Sequence, residues 1–200
     1  MTSIPSHEAL MDALVNRIQI DAHPSCATSL NQCLNEALAF YHHGYYQEAL
    51  PLLLFLAENR VASAIYHIGL MFQYGKGVGL DVDMATLCYE YVLGVGNFAN
   101  AALEMGLIQK AQGNWSAAWT NLVIADMQGS GVALLHLHDM RKSEGFVFPP
   151  QDSDEVIQLL LQAQKHKEEG FQRKAENKYY AAAQLGSLKA LELLEKMRSK

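Results

Sequence analysis

The 200-residue chain has few cysteines, few prolines and, in its first half, very few basic residues; each shortage removes a class of function. Its three cysteines, Cys26, Cys33 and Cys88, form no Cys-x-x-Cys pair. That argues against a disulfide framework or zinc knuckle and makes a reducing, cytoplasmic setting the expectation. Five prolines and fourteen glycines are too few for a collagen-like or low-complexity chain. No apolar run approaches the ~20 residues of a membrane-spanning helix. Residues 1–8 lack a basic stretch leading into an apolar one, so a secretory signal is not expected either. Residues 1–100 contain only Arg17, Arg60 and Lys76 against nine acids, a net charge of −6, whereas residues 101–200 hold twelve of each sign. Without a basic stripe to follow a phosphate backbone, nucleic acid is not an expected ligand. An acidic half instead favours a basic or neutral protein partner.

What is present is helical periodicity. Half the residues are hydrophobic, and they recur at spacings of three and four rather than two. This predicts helices over about 6–20, 29–43, 46–58, 61–74, 82–94, 99–111, 115–128, 131–142, 153–168, 171–185 and 188–198. Ser6 is placed to cap the first, whose buried stripe is Leu10, Leu14 and Ile18, and Ser29 with Gln32 has the form of a capping box for the second. Glycine-containing turns separate the helices, so the chain reads as all-α and built of short antiparallel hairpins.

The hairpins repeat. Ala49, Ala85, Ala118 and Ala175 stand early in alternate helices, at steps of 36, 33 and 57 residues. Eleven residues beyond the last three come Gly96, Gly129 and Gly186, with Arg60 in that place after Ala49. In the preceding helices Gly69 and Gly106 lie 37 apart. Small residues at a fixed point of each helix let backbones approach and stack hairpins in one direction. The 57-residue step is too short for two units of about 34 residues. A degenerate fourth repeat is therefore expected, with an irregular loop over 143–152 and altered stacking beyond it.

Residues 64–97 carry Ala64, Ile68-Gly69, Phe72, Gly75-x-Gly77-Val78, Asp81, Ala85, Cys88-Tyr89 and Gly96-Asn97. This pattern resembles the Sel-one-like repeat, a branch of the tetratricopeptide superfamily. Cys88 stands where that family usually has tryptophan, and Met84 where lysine is common. Gly44-Tyr45-Tyr46-x-x-Ala49 is closer to a tetratricopeptide unit, and residues 101–130 and 170–187 repeat the theme. The resemblance implies a right-handed superhelix, or solenoid, of stacked hairpins. Its parts would be an N-terminal helix and linker (1–25), repeats (26–142), the loop (143–152), and a final hairpin with a capping helix (153–200).

Motifs that suggest catalysis or metal binding have plainer readings. Gly75-Lys76-Gly77 lacks the Ser or Thr that follows Gly-Lys in a phosphate loop, and a helix precedes it rather than a strand. His42-His43 are adjacent and His136 and His138 lie about 200° apart around a helix, so neither pair converges on one ion. Gly129-Ser130-Gly131 is not a nucleophile elbow. Asp152, Asp154 and Glu155 suit a helix N-terminus. No catalytic residue, cofactor or metal ligand is expected.

The expected function is therefore protein binding, as an adaptor or scaffold. By the resemblance, first helices line a concave groove. The positions that point into it would include Tyr41 and His42; Tyr66, Leu70, Gln73 and Tyr74; and Asn100, Leu103, Leu107 and Lys110. Tyrosines and leucines with polar neighbours suit a peptide segment, and Tyr66 and Tyr74 are singled out because a tyrosine hydroxyl favours an open edge. Phe146 and Phe148 are a second candidate surface, although the cost of exposed phenylalanines favours their folding back over the degenerate repeat. A sequestering role, as a secretion chaperone or toxin-immunity protein, is the alternative within the binding class. Outside it stands a hydrolase of cell-wall-related compounds, an activity linked with some secreted, cysteine-paired Sel-one-like proteins.

Overall fold

A computed structural model describes residues 4–18, 29–142 and 153–198. Among these the chain is all-α, with eleven helices and no strand. They are α1 (His7–Ile18), α2 (Leu30–His42), α3 (Tyr46–Glu58), α4 (Ala62–Tyr74), α5 (Val82–Val95), α6 (Ala99–Ala111), α7 (Trp115–Met127), α8 (Gly131–Lys142), α9 (Asp154–Glu168), α10 (Gln172–Gln184) and α11 (Leu188–Arg198). Cys26 and the Phe146 and Phe148 surface lie outside the described residues. None of the described helices is long and apolar enough to cross a membrane.

Most helices stop by one device. At Gly44, Arg60, Gly113, Gly129, Gly170 and Gly186 the backbone turns left-handed. Each of these residues donates its N–H to the carbonyl three residues back, and the next residue donates to the carbonyl five back. Gly44 to Tyr41 and Tyr45 to Phe40, at 3.1 and 2.9 Å, are one such pair. This pair of hydrogen bonds closes the last turn of a helix. It reverses the chain within two residues, so the next helix starts at once and lies antiparallel. Arg60 adopts φ 59° in the place a glycine takes elsewhere, a conformation that costs a side chain about 1 kcal/mol. The register of the repeat thus holds even where glycine is absent.

Helix starts are capped as their sequences suggest. The Ser6, Ser29, Asp81 and Ser153 side chains accept from the backbone N–H of Ala9, Gln32, Met84 and Val156 at 3.0 to 3.4 Å. Each satisfies an otherwise orphaned donor of a first turn. Asp154 and Glu155 lie in the first turn of α9, where carboxylates meet the positive end of the helix dipole.

The chain forms two compact units, Met1–Ala101 and Ala102–Lys200, with the division inside α6. In the first, α2 packs on α3, α3 on α4, and α4 on α5. The tightest approach is at Gly69, where a Cβ would fall 2.7 Å from the Tyr89 ring and 3.2 Å from Cys88 Cβ. Helix α1 returns to pack on α5, burying Leu10 and Leu14. His7 Nε2–H donates to the Ala57 carbonyl at 2.9 Å, and the imidazole ring lies 5.7 Å from Tyr91. The hydrogen bond from the Met84 backbone N–H, reinforced by the paired Arg17 guanidinium, holds the Asp81 carboxyl below its usual range.

In the second unit Gly106 of α6 sits against Leu122 of α7, and Asn121 Nδ2 donates to Gln109 Oε1 at 2.8 Å. Helix α8 packs on α7, while α10 packs on α9, α11 and α7. The α7–α10 contact is fixed by the buried Trp119, whose indole N–H donates to the Ala183 carbonyl at 2.8 Å. Asp126, 1 % exposed, accepts from Arg198 at 2.7 Å and from the Tyr180 hydroxyl at 3.4 Å. Burial first, then the Asp126 charge, pushes the Tyr180 hydroxyl up to about 12. That cluster joins α7, α10 and α11.

A candidate binding surface of tyrosine and histidine side chains

The first unit gathers ring side chains from α2 to α5 and the residues that follow. Tyr41 lies edge-on to His42, Tyr46 and His67, with centroids 5.6, 5.5 and 5.1 Å away. His67 also meets His42 at 6.3 Å and Tyr66 at 5.2 Å. Tyr66 continues the series to Tyr89 at 5.8 Å and Phe98 at 6.2 Å. The hydroxyl of Tyr89 donates to Gln73 Oε1 at 2.5 Å, and Gln73 Nε2 donates to the Tyr74 hydroxyl oxygen at 3.2 Å. The contacts around Tyr41 and His67 are edge-to-face and those from Tyr66 to Tyr89 and Phe98 tilted, packing that fixes orientation as well as burying area.

The long glycine turn after α4 completes the surface. Gly75 and Gly77 take φ 63° and 74°, and a side chain on Gly77 would collide with Tyr46 Cβ, 2.6 Å from where its own Cβ would lie. Gln47 Nε2 donates to the Gly77 carbonyl at 3.1 Å. The turn is thus clamped on the start of α3, and Lys76 is set over Tyr41, Tyr46 and Tyr74, its Nζ 5.8, 5.8 and 5.3 Å from their ring centres. Beneath the turn lies a cavity of about 480 Å³ lined in part by Arg17, Pro51, Phe72 and Leu80.

Of the sequence-predicted positions, Tyr41, His42 and Tyr66 meet through His67, and Gln73 and Tyr74 join them through Tyr89 and Lys76. His42 and Tyr74 are exposed, Tyr74 by 50 %, and Leu70 and Gln73 are half-buried. Tyr41 and Tyr66 are only 8 % and 9 % exposed. The open edge expected for Tyr66 is not observed: Tyr89, Phe98 and His67 enclose its ring, so it forms wall rather than accessible surface. On α6, Asn100 is exposed and Leu103, Leu107 and Lys110 are half-buried. Reading the sequence does not single out His67, Tyr46 or Lys76. Lys76 nonetheless carries a signal, as the lone lysine of residues 1–101, set in a glycine turn two residues after Tyr74.

His67 makes this surface sensitive to acid. Its Nδ1–H donates to the Ser63 carbonyl at 2.7 Å, but burial, reinforced by neighbouring His42, holds its pKa below the usual histidine value. A histidine favoured neutral in the fold contributes stability above its unfolded value of ~6.5 that is lost as pH falls through the folded value. The urea midpoint of the chain is expected to drop between pH 7.5 and 5.5, and to drop less in His67→Phe. Equal slopes for the two proteins would remove His67 as the source.

The described residues hold no group of three or more His, Cys, Asp or Glu side chains arranged to bind a metal ion. Cys33 and Cys88 are buried, and burial pushes the Cys88 thiol up to about 12, where it is not a nucleophile at neutral pH. No protein-family model matches the chain, and no curated protein matches it.

Proposed function

We propose that the chain is a non-enzymatic protein-binding module, an adaptor that holds a basic segment of another protein against the surface formed by α2, α4 and the Gly75–Gly79 turn. The observation that carries this reading is the joined series of ring side chains from His42 to Phe98, with His42 and Tyr74 open to solvent at its edge. Rigid, pre-packed rings lose little entropy when a partner docks, which is why aromatic residues dominate the anchors of interfaces. The −6 charge of residues 1–100 would speed encounter with a basic segment. In this reading the hairpins are Sel-one-like and tetratricopeptide-like units. They wind into a right-handed solenoid with a degenerate fourth repeat, working in the cytoplasm.

The test is capture from the host lysate by the wild-type chain and by the double variant His42→Ala, Tyr74→Ala. Both substituted residues are exposed, so circular dichroism should show an unchanged fold. A stoichiometric protein retained by the first and lost from the second is the expected result; a partner held equally by both would place binding elsewhere. A tight one-to-one complex would identify a sequestering protein rather than an adaptor.

A further inference from the structure

We propose that the tyrosine faces around Lys76 form an acceptor for a lysine side chain of the partner, and that Lys76 fills it in the free chain as an internal stand-in. The inference deepens the protein-binding reading and rests on it. Three elements build the acceptor: Tyr41 lies in the last turn of α2, Tyr46 begins α3 and Tyr74 ends α4. All three ring centres lie within the ~6 Å at which an ammonium is attracted by an aromatic face, and Lys76 Nζ already occupies that position. No carboxylate among the described residues pairs with Lys76, so a cation is held here against ring faces.

Access and charge point the same way. Tyr74 is half exposed and Tyr46 half-buried, so the acceptor opens to solvent. Lys76 reaches it on a four-carbon stem from a turn whose backbone is independently clamped: Lys76 N–H donates to the Met71 carbonyl at 2.8 Å, and the Gly77 carbonyl accepts from Gln47. The stem can swing out without moving a helix. An incoming lysine approaches a unit of net charge −6 and offers the same ammonium that the site already holds.

Self-occupancy makes a prediction opposite in sign to that of a merely structural clasp. An internal competitor lowers apparent affinity by the fraction of sites it fills. Lys76→Met, which keeps the stem and removes the charge, is therefore expected to bind a capped peptide of alternating lysine and glycine about three- to tenfold more tightly than wild type, a gain of the size of one cation–ring contact. Nuclear magnetic resonance titration would follow the ring signals of Tyr46 and Tyr74. Adding Tyr74→Ala to Lys76→Met should abolish the gain, and Tyr74→Phe, which keeps the face, should retain it. Arg60→Gln removes a positive charge elsewhere in the same unit and should not reproduce it.

Unchanged or weaker binding by Lys76→Met would overturn the proposal. So would a gain that survives loss of the Tyr74 ring or that Arg60→Gln matches, because either would be general electrostatics. Absence of binding by every form would overturn it too. If the peptide shifts His42 and Gln73 equally in wild type and Lys76→Met, the acceptor falls while the wider binding surface stands.

Discussion

Gly69→Val lowers the stability of the N-terminal unit by about 3 kcal/mol, the upper range for inserting bulk into a packed core. The reason lies in the α4–α5 crossing. A Cβ at this position falls 2.7 Å from Tyr89 Cε1 and 3.2 Å from Cys88 Cβ, and both Tyr89 and Cys88 are fully buried. The Tyr89 ring cannot retreat freely, because it touches Tyr66 and its hydroxyl donates to Gln73. Alanine at the same site restores about 1 kcal/mol of helix propensity against the same first contact, so Gly69→Ala costs less than Gly69→Val. Urea denaturation followed by circular dichroism measures both. A valine variant as stable as wild type would mean that α4 and α5 do not meet here. Because Tyr89 also anchors Gln73, the surface at Tyr74 should lose order along with stability.

Trp119→Ala is expected to cost roughly 3–5 kcal/mol, as removal of a large buried aromatic does. The indole is 1 % exposed and is the named bridge from α7 to the Ala183 carbonyl of α10. Trp119→Phe separates the two contributions. The ring is largely kept, and the Ala183 carbonyl still accepts from Gly186 N–H at 2.9 Å, so the loss should be nearer 1 kcal/mol, the worth of one hydrogen bond. Thermal and urea unfolding of both variants test this order. If phenylalanine proves as damaging as alanine, the hydrogen bond rather than the ring fixes α10 on α7.

The helices and their ends were legible in the sequence, and the contacts of the surface were not. All eleven helices form, with termini within two residues of those read from periodicity, because caps and left-handed stops are local chemistry. Arg60 shows how strong that grammar is, since its place in the repeat, eleven residues after Ala49, carries the left-handed turn without glycine. Periodicity could put Tyr41 and Tyr66 on the first-helix stripe but could not say that neighbours would enclose them. A helix covered on two sides has no single apolar face to announce which ring stays open. Lys76 meets Tyr41 across 35 positions of sequence, and α1 packs on α5, whose first residue is Val82. Neither pairing leaves a trace in local spacing.

The most direct test is to place the photo-crosslinking residue benzoylphenylalanine at position 74 and, separately, at position 83. Asp83 is exposed in the first turn of α5 and makes none of the ring contacts of the series. Illumination in the host lysate should yield one discrete adduct from position 74 and none of that mass from position 83. Adduct formation should fall when the alternating lysine–glycine peptide is added. A discrete partner adduct from position 83 alone, with position 74 silent, would contradict the assignment of this surface as the binding face.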